Sequence, residues 1–298
     1  MITQIVTFEE AGRLQTGLMQ DGKVYASPRY SSMQDVLADW AAARDRLGTV
    51  QHELASRAPV ANAKLRAPLA APKNIYFAGA NYRDHVEEMM RKTGAPLDAN
   101  PKRLAHGPWH SLKATGSTIA GPDDVVTTPS HTKKLDWEIE IAVVIGRTCK
   151  NVSVADAYDY VAGYTIADDL SARDHIGREG VANESPFKWD WVGQKSFDGS
   201  CPMGPAITPH AFIGDPMNLA MKLWVNGELM QDSNTSQMIY TIQEQVAHLA
   251  SRVTLQPGDV ILTGTPSGVG AARGRFLKPG DVVRHWIENI GEFQFTVA

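Results

Sequence analysis

From residue 135 the chain reads Leu-Asp-Trp-Glu-Ile-Glu-Ile-Ala-Val-Val-Ile-Gly146, alternating at first and then wholly apolar. The run is rich in β-branched residues and predicts a strand entering a buried core. Successive side chains on a strand face opposite ways, so Glu138 and Glu140 are expected on one side and Trp137, Ile139 and Ile141 on the other. Two carboxylates about 7 Å apart repel unless a positive charge lies between them. A divalent cation is one such charge; an edge strand with a solvated carboxylate face is the plain alternative.

The same reading places other elements. Residues 2–8 alternate as a strand, and 14–19 and 23–26 flank Asp21-Gly22, a hairpin turn pair. Ser32 caps an expected helix over residues 33–57, with Met33, Val36, Leu37, Trp40 and Leu47 near helical spacing. Pro59, Pro68 and Pro72 punctuate an Ala-rich connector, which predicts a small N-terminal α/β domain over 1–65 and a second domain over 66–298. There, 74–80 reads as a strand and 82–92 as a helix. Residues 93–110, with three Pro and two Gly, read as a long mobile loop or lid. Ser153 and Asp156 start a short helix, and 160–168 is a strand. Asn226-Gly227 marks a hairpin, and Thr241 with Glu244 forms a capping box before a helix to residue 252. Pro-Gly-Asp at 257–259 and 279–281 each launch a Val-rich strand. Many strands and few helices predict an α+β, mostly-β fold.

Composition narrows the function classes. With 298 residues, 43% of them hydrophobic, the chain can bury a sizeable core, and its net charge of −4 gives no reason to expect nucleic acid. Two cysteines, Cys149 and Cys201, argue against a disulfide framework or cysteine-ligated zinc. No apolar run approaches the ~18 residues of a membrane span, and residues 1–12 do not resemble a signal peptide. The expectation is a soluble cytoplasmic protein.

Chemistry gathers in three places. Asp168 and Asp169, ending a strand, are candidates for a third metal ligand beside the Glu pair; the alternative is a simple turn. All-oxygen ligation selects Mg²⁺, Mn²⁺ or Ca²⁺. In Gly79-Ala-Asn-Tyr-Arg-Asp-His85-Val-Glu-Glu88, His85 and Glu88 stand at i,i+3, where the carboxylate can orient the imidazole as a base; a surface pair is the alternative. Lys195 lies in an expected strand or turn. The loop from Thr263 to Gly270 fits neither a P-loop nor a dinucleotide fingerprint and reads as a backbone cradle for a carboxylate or metal-bound oxygen, or as an ordinary turn.

Taken in order, Glu138-Ile-Glu140, Gly163-Tyr…Asp169-Leu-Ser-Ala-Arg173-Asp, Lys195-Ser-Phe-Asp198, Val225-Asn-Gly-Glu228, Pro257-Gly-Asp-Val-Ile-Leu-Thr-Gly-Thr265-Pro and Gly268-Val-Gly270 resemble the fumarylacetoacetate hydrolase family over about residues 72–298. The resemblance implies a mixed β-roll, usually a homodimer, behind a smaller N-terminal domain. It implies Glu138, Glu140 and Asp169 as ligands of Mg²⁺ or Mn²⁺. His85 and Glu88 match the family's water-activating dyad, with Lys195 also catalytic and the flanking segment a lid. Lys113, Arg173, Thr265 and Tyr82 fall among substrate-holding positions.

The chain departs from the family at Ser111-Leu112-Lys113, where relatives have Phe-x-Lys. It departs again at Ile176, where relatives often carry Gln, and in the segment around 89–110. The expected reaction is hydrolysis of a carbon–carbon bond in a small 1,3-diketo acid such as an acylpyruvate. The alternative is a decarboxylase, lyase or isomerase acting on an oxaloacetate-like or sugar-derived 2-oxo acid at the same site. Two rivals from other classes are a metal-dependent nuclease, against which the acidic balance argues, and a scaffold with a vestigial site.

Overall fold

Strand pairing organises the molecule around the 135–146 run. The computed structural model describes residues 2–47, 54, 56–94, 101–104 and 106–298. An eleven-stranded sheet runs, in spatial order, through Lys23–Ala26, Arg13–Gln20, Gln4–Glu10, Cys201–Pro209, Val161–Asp168, Ile139–Ile145, Val260–Leu262, Ile75–Ala78 and His110–Lys113, with two short strands at its side. Neighbours pair antiparallel along this path except Val260–Leu262 with Ile75–Ala78, which are parallel. A five-stranded sheet carries the hairpin of Ala220–Val225 and Glu228–Asn234 together with Val282–Ile287 and Gly291–Val297. The fold is mixed and mostly strand, as the sequence predicts.

Both faces of the central strand are buried. Ile139, Ile141, Val143 and Ile145 join Trp137, Tyr164, Leu223, Phe295 and the helix residues Ile242, Val246 and Leu249 in one core. Ala142 and Val144 join Met33, Val36, Leu37 and Trp40 in another. That double burial explains why the second half of the run has no polar residue. Glu140 has the parity of Ala142 and Val144, and Trp137, Ile139 and Ile141 share the opposite face, as alternation requires.

Several elements differ from expectation, each for an identifiable reason. The 135–146 run is two strands, Leu135–Asp136 and Ile139–Ile145. Side chains replace the ladder between them: the N–H of Trp137 donates to Asp136, that of Glu138 to Asp168, and that of Ile139 to Gln231. The expected 33–57 helix divides into Met33–Ala38 and Trp40–Leu47 at Asp39, whose carboxylate accepts from the Tyr30 hydroxyl; residues 48–53 and 55 lie outside the described residues. Lys195 ends a short helix, Trp191–Lys195, instead of lying in a strand, because Asp190 caps that helix through the Gly193 N–H.

The expected 82–92 helix spans Arg83–Thr93 and stops at Gly94, which takes the left-handed conformation. Of the expected lid, Pro101–Leu104 forms a 3₁₀ turn, while 95–100 and 105 lie outside the described residues. Among the described residues no helix is long and apolar enough to cross a membrane.

Close strand approach depends on Gly163. A Cβ there would collide with the Thr208 carbonyl of the adjacent strand, a backbone atom that cannot swing aside. Gly163→Ala should therefore cost about 1–3 kcal/mol in urea unfolding, whereas Gly12→Ala, with open space around it but positive φ, tests strain without collision.

Candidate metal centre

Register brings the acids together. In the antiparallel pair Ile139–Ile145 with Val161–Asp168, Ile139 stands opposite Asp168 and Glu140 opposite Ala167. The ladder continues one step beyond, with the Asp169 N–H donating to the Glu138 carbonyl at 3.0 Å. Asp169 is thereby fixed beside Glu138. One oxygen from each of Glu138, Glu140 and Asp169 falls within 4.8 Å of the others, and all three residues are buried. Of the two aspartates left open by sequence, Asp169 joins the cluster. Asp168 turns to the fully buried His285, whose Nε2 lies 2.7 Å from its carboxylate, while its other oxygen accepts the Glu138 N–H.

Cations line one side. The Lys195 ammonium donates to Glu138 at 2.8 Å and to Asp169 at 2.5 Å, and also to the Asp169 carbonyl at 3.2 Å. Arg173 bridges Asp136 and Glu138. Lys113 lies 2.9 Å from Asp169 and donates to carbonyls of Lys195 and Ser200. Glu140 has no such partner among the described residues; it accepts the Gly264 N–H at 2.6 Å.

The titration behaviour follows from these neighbours. Burial raises Glu138, but Lys195 and Arg173 outweigh it and bring it down to about 2. Burial, then the charges on Asp169 and Glu138, push Glu140 well above the carboxylate range. Burial opposes charge on Lys195, but Asp169 and Glu138 hold its ammonium above the ordinary value. A hard, oxygen-seeking dication suits a donor set of three buried carboxylates, one of which is short of positive charge.

The glycine loop cradles the protein's own carboxylates. Besides Gly264 on Glu140, the Gly268 N–H donates to both oxygens of Glu88 at 3.0 Å, and Gly270 and Ala271 donate to Asp136. His85, on the first turn of Arg83–Thr93, is buried; its Nδ1 is 3.6 Å from Glu88, beyond hydrogen-bond length, and has no hydrogen-bond partner among the described residues.

His85, Glu138, Arg173, Lys195 and Thr265 line one cleft of about 430 Å³, roomy enough for a small acid. The Thr265 hydroxyl is already engaged, donating to the Ile139 carbonyl and accepting from Gln231. Lys113 stands behind Asp169. Tyr82 is not brought to the cleft: it is fully buried, with its hydroxyl 3.4 Å from the Met221 sulfur.

The structure adds residues that sequence reading missed. Asp136 shares the parity of Glu138 and Glu140, a signal present in the run itself. His285 sits at an inward position of Val282–Ile287, whose burial alternates. Trp109 and Trp191, with ring centroids 5.1 Å apart, wall the cleft, and no spacing pattern connects them.

Comparison with known proteins agrees with this geometry. The family model described as fumarylacetoacetate (FAA) hydrolase C-terminal matches residues 74–298. The chain is 40% identical over 259 residues to the mitochondrial oxaloacetate tautomerase fahd2 of Xenopus laevis, covering 86% of this chain and 74% of that one. It is 38% identical over 250 residues to the human mitochondrial oxaloacetate tautomerase FAHD2B, covering 82% and 74%.

Among solved structures, a fumarylacetoacetate hydrolase from Exiguobacterium antarcticum superposes with a TM-score of 0.80 at 29% identity, covering 99% of both chains. Maleylpyruvate hydrolase of Sphingobium sp. SYK-6, in complex with manganese (II) and pyruvate, gives 0.75 at 28% identity, covering 99% of this chain and 98% of that one.

The raised Glu140 makes a signed prediction. The folded protein holds this proton more tightly than the unfolded chain, so stability from the group is full below the ordinary value of 4.5 and is lost as pH rises toward the raised one. Metal-free wild type should lose thermal stability over that rise relative to Glu140→Gln, and Mn²⁺ should restore it in wild type alone. Calorimetry should find divalent-cation affinity at least ~100-fold weaker in Glu140→Gln, exceeding the loss of an outer partner.

Proposed function

This chain belongs to the fumarylacetoacetate hydrolase family and carries an acidic divalent-metal site typical of it; from that premise we propose that it interconverts the keto and enol forms of a short 2-oxo dicarboxylic acid, oxaloacetate being the first candidate. One arrangement carries the reading: the buried imidazole of His85, whose Nδ1 has no hydrogen-bond partner among the described residues, lines one cleft with Glu138, a member of a carboxylate cluster fit for a hard cation. The names of the curated relatives support tautomerisation over the carbon–carbon hydrolysis that the sequence put first.

Glu138, Glu140 and Asp169 would hold the cation. Bound there, a divalent ion supplies Lewis-acid polarisation of a 2-oxo group. The protein does the rest. His85 takes a proton from C3, the electron pair of that bond becomes the C2–C3 double bond as the C2–oxygen π pair moves onto oxygen, and the same proton returns to that oxygen to give the enol. Lys195 and Arg173 offset the negative charge that develops, in a site walled largely by apolar side chains. Glu88, fixed by two hydrogen bonds from Gly268, sets the electrostatic environment of the imidazole. No attacking water is needed.

Hydrolysis stays as the second reading because of the maleylpyruvate hydrolase neighbour. The two part at the fate of the C3–C4 bond, which tautomerisation leaves intact. The test follows enol-oxaloacetate decay and acylpyruvate cleavage side by side, with and without chelator. Enol decay that chelator abolishes supports the proposal; cleavage without tautomerisation overturns it. His85→Ala should lower turnover by ~10²–10⁴ while leaving Mn²⁺ affinity unchanged, and full activity in that variant would remove His85 from its role.

A further inference from the structure

We propose that His285 is a positioning residue for the metal centre: acting through Asp168 from the core between the two sheets, it fixes the backbone from which Glu138 reaches the cluster. The inference rests on the metal reading of the carboxylate cluster and is independent of the reaction assigned above.

Strand parity sets this pair apart from its surroundings. Along Val282–Ile287 the inward residues are Val283, His285 and Ile287, and the two aliphatic ones join the core between the sheets. Along Val161–Asp168, Tyr164 and Ile166 enter that same core, whereas Ala167, opposite Glu140, enters the other one. Asp168 has the parity of Ile166, so its carboxylate is directed into the core and away from the acidic cluster. Both Asp168 and His285 are 0% exposed. A carboxylate buried in this way is costly unless its oxygens are hydrogen-bonded.

Each oxygen of Asp168 is engaged. His285 Nε2 lies 2.7 Å from Oδ2, and Oδ1 accepts the Glu138 N–H at 2.8 Å. The imidazole stacks on Phe293 at 4.7 Å and on Phe295 at 5.6 Å, which fixes the plane of the ring. A phenyl group would serve that stack equally; the Nε2 hydrogen serves Asp168. The Nδ1 atom has no hydrogen-bond partner among the described residues, so Asp168 alone among them orients the ring by a hydrogen bond. Glu138 lies between the strands Leu135–Asp136 and Ile139–Ile145, where no ladder holds it. Its N–H goes to the Asp168 carboxylate, and its carbonyl receives the Asp169 N–H at 3.0 Å. Consecutive residues thus clamp both backbone polar groups of one candidate ligand, and His285 holds the first of them in place.

The experiment uses the full chain and two readouts: Mn²⁺ affinity by calorimetry, and hydrogen exchange at the Glu138 amide in the metal-free protein. His285→Phe keeps a flat ring for the stack and has no N–H. It should weaken Mn²⁺ ~10–100-fold, the range for an outer partner of a metal ligand, and speed exchange at Glu138. His285→Gln, which keeps an N–H donor, should recover part of both. In an Asp168→Asn background, His285→Phe should cost no more than about two-fold further in Mn²⁺ affinity, as expected of residues that act in series. Each variant is measured below its own melting transition, so a lower melting temperature does not by itself count as support. Should His285→Phe not fold, His285→Asn, whose shorter amide draws back from Asp168, is measured in its place.

Wild-type Mn²⁺ affinity and wild-type exchange at Glu138 in the folded variant overturn the proposal and leave the pair a purely structural contact. An equal loss of affinity with and without the Asp168 carboxylate also overturns it, because the effect then bypasses Asp168. Absence of Mn²⁺ binding in wild type overturns the metal reading, whereas faster exchange at Glu138 in His285→Phe still supports the hold of His285 on that backbone. Failure of wild type to tautomerise oxaloacetate removes the reaction assigned above and leaves the role of His285 in place.

Discussion

Buried negative charge, concentrated by strand register, is the constraint that the rest of the site answers. Glu140 belongs to a strand covered on both faces, and Glu138 and Asp169 are joined by one backbone hydrogen bond just beyond the ladder. All three are buried. Isolated ions are costly to bury, and removing a partner from such a pair leaves an uncompensated charge. Every neighbouring group can be understood by what it does about that cost. Lys195, Arg173 and Lys113 offset charge on Glu138 and Asp169, while Glu140 receives a backbone N–H. The asymmetry is the functional point, because it leaves one carboxylate in want of a cation.

Supporting layers keep this geometry fixed. Asp136 holds Arg173 and is itself held by two N–H groups at the end of the glycine loop. Asp168, paired with His285, which stacks against Phe293 and Phe295, accepts the N–H of Glu138 and so sets where that backbone breaks from the strand. Gln231 accepts from Ile139 and donates to Thr265, tying the hairpin to the loop. These contacts turn the end of a central strand into a fixed site whose open side is the cleft below the two tryptophans. Rigidity matters for the proposed tautomerisation, since preorganised charges stabilise a developing enolate without rearrangement.

Much of this is legible from the amino acids alone. Period-two alternation identifies the central strand and the faces of Trp137, Ile139, Ile141 and Glu140. Local turn chemistry identifies the Asp21-Gly22 and Asn226-Gly227 hairpins and the Thr241 capping box. What stays hidden depends on long-range partners. The break at 137–138 arises from side chains of Asp168 and Gln231, far along the chain, capturing backbone N–H groups. Lys195 lies on a helix because Asp190 caps it, a signal too short for periodicity to show. The Thr263–Gly270 loop reads as a cradle in sequence, but only the fold shows that it holds Glu140, Glu88 and Asp136. The reaction itself is the least legible part, because hydrolysis and tautomerisation ask for the same carboxylates and the same histidine.

The most direct test of the charge constraint is a crystal structure grown with Mn²⁺ and measured for anomalous scattering. The predicted result is one strong peak among Glu138, Glu140 and Asp169, with Glu140 turned to it. A well-ordered structure with no peak there, or with the ion bound elsewhere while Lys195 still bridges Glu138 and Asp169, would contradict it.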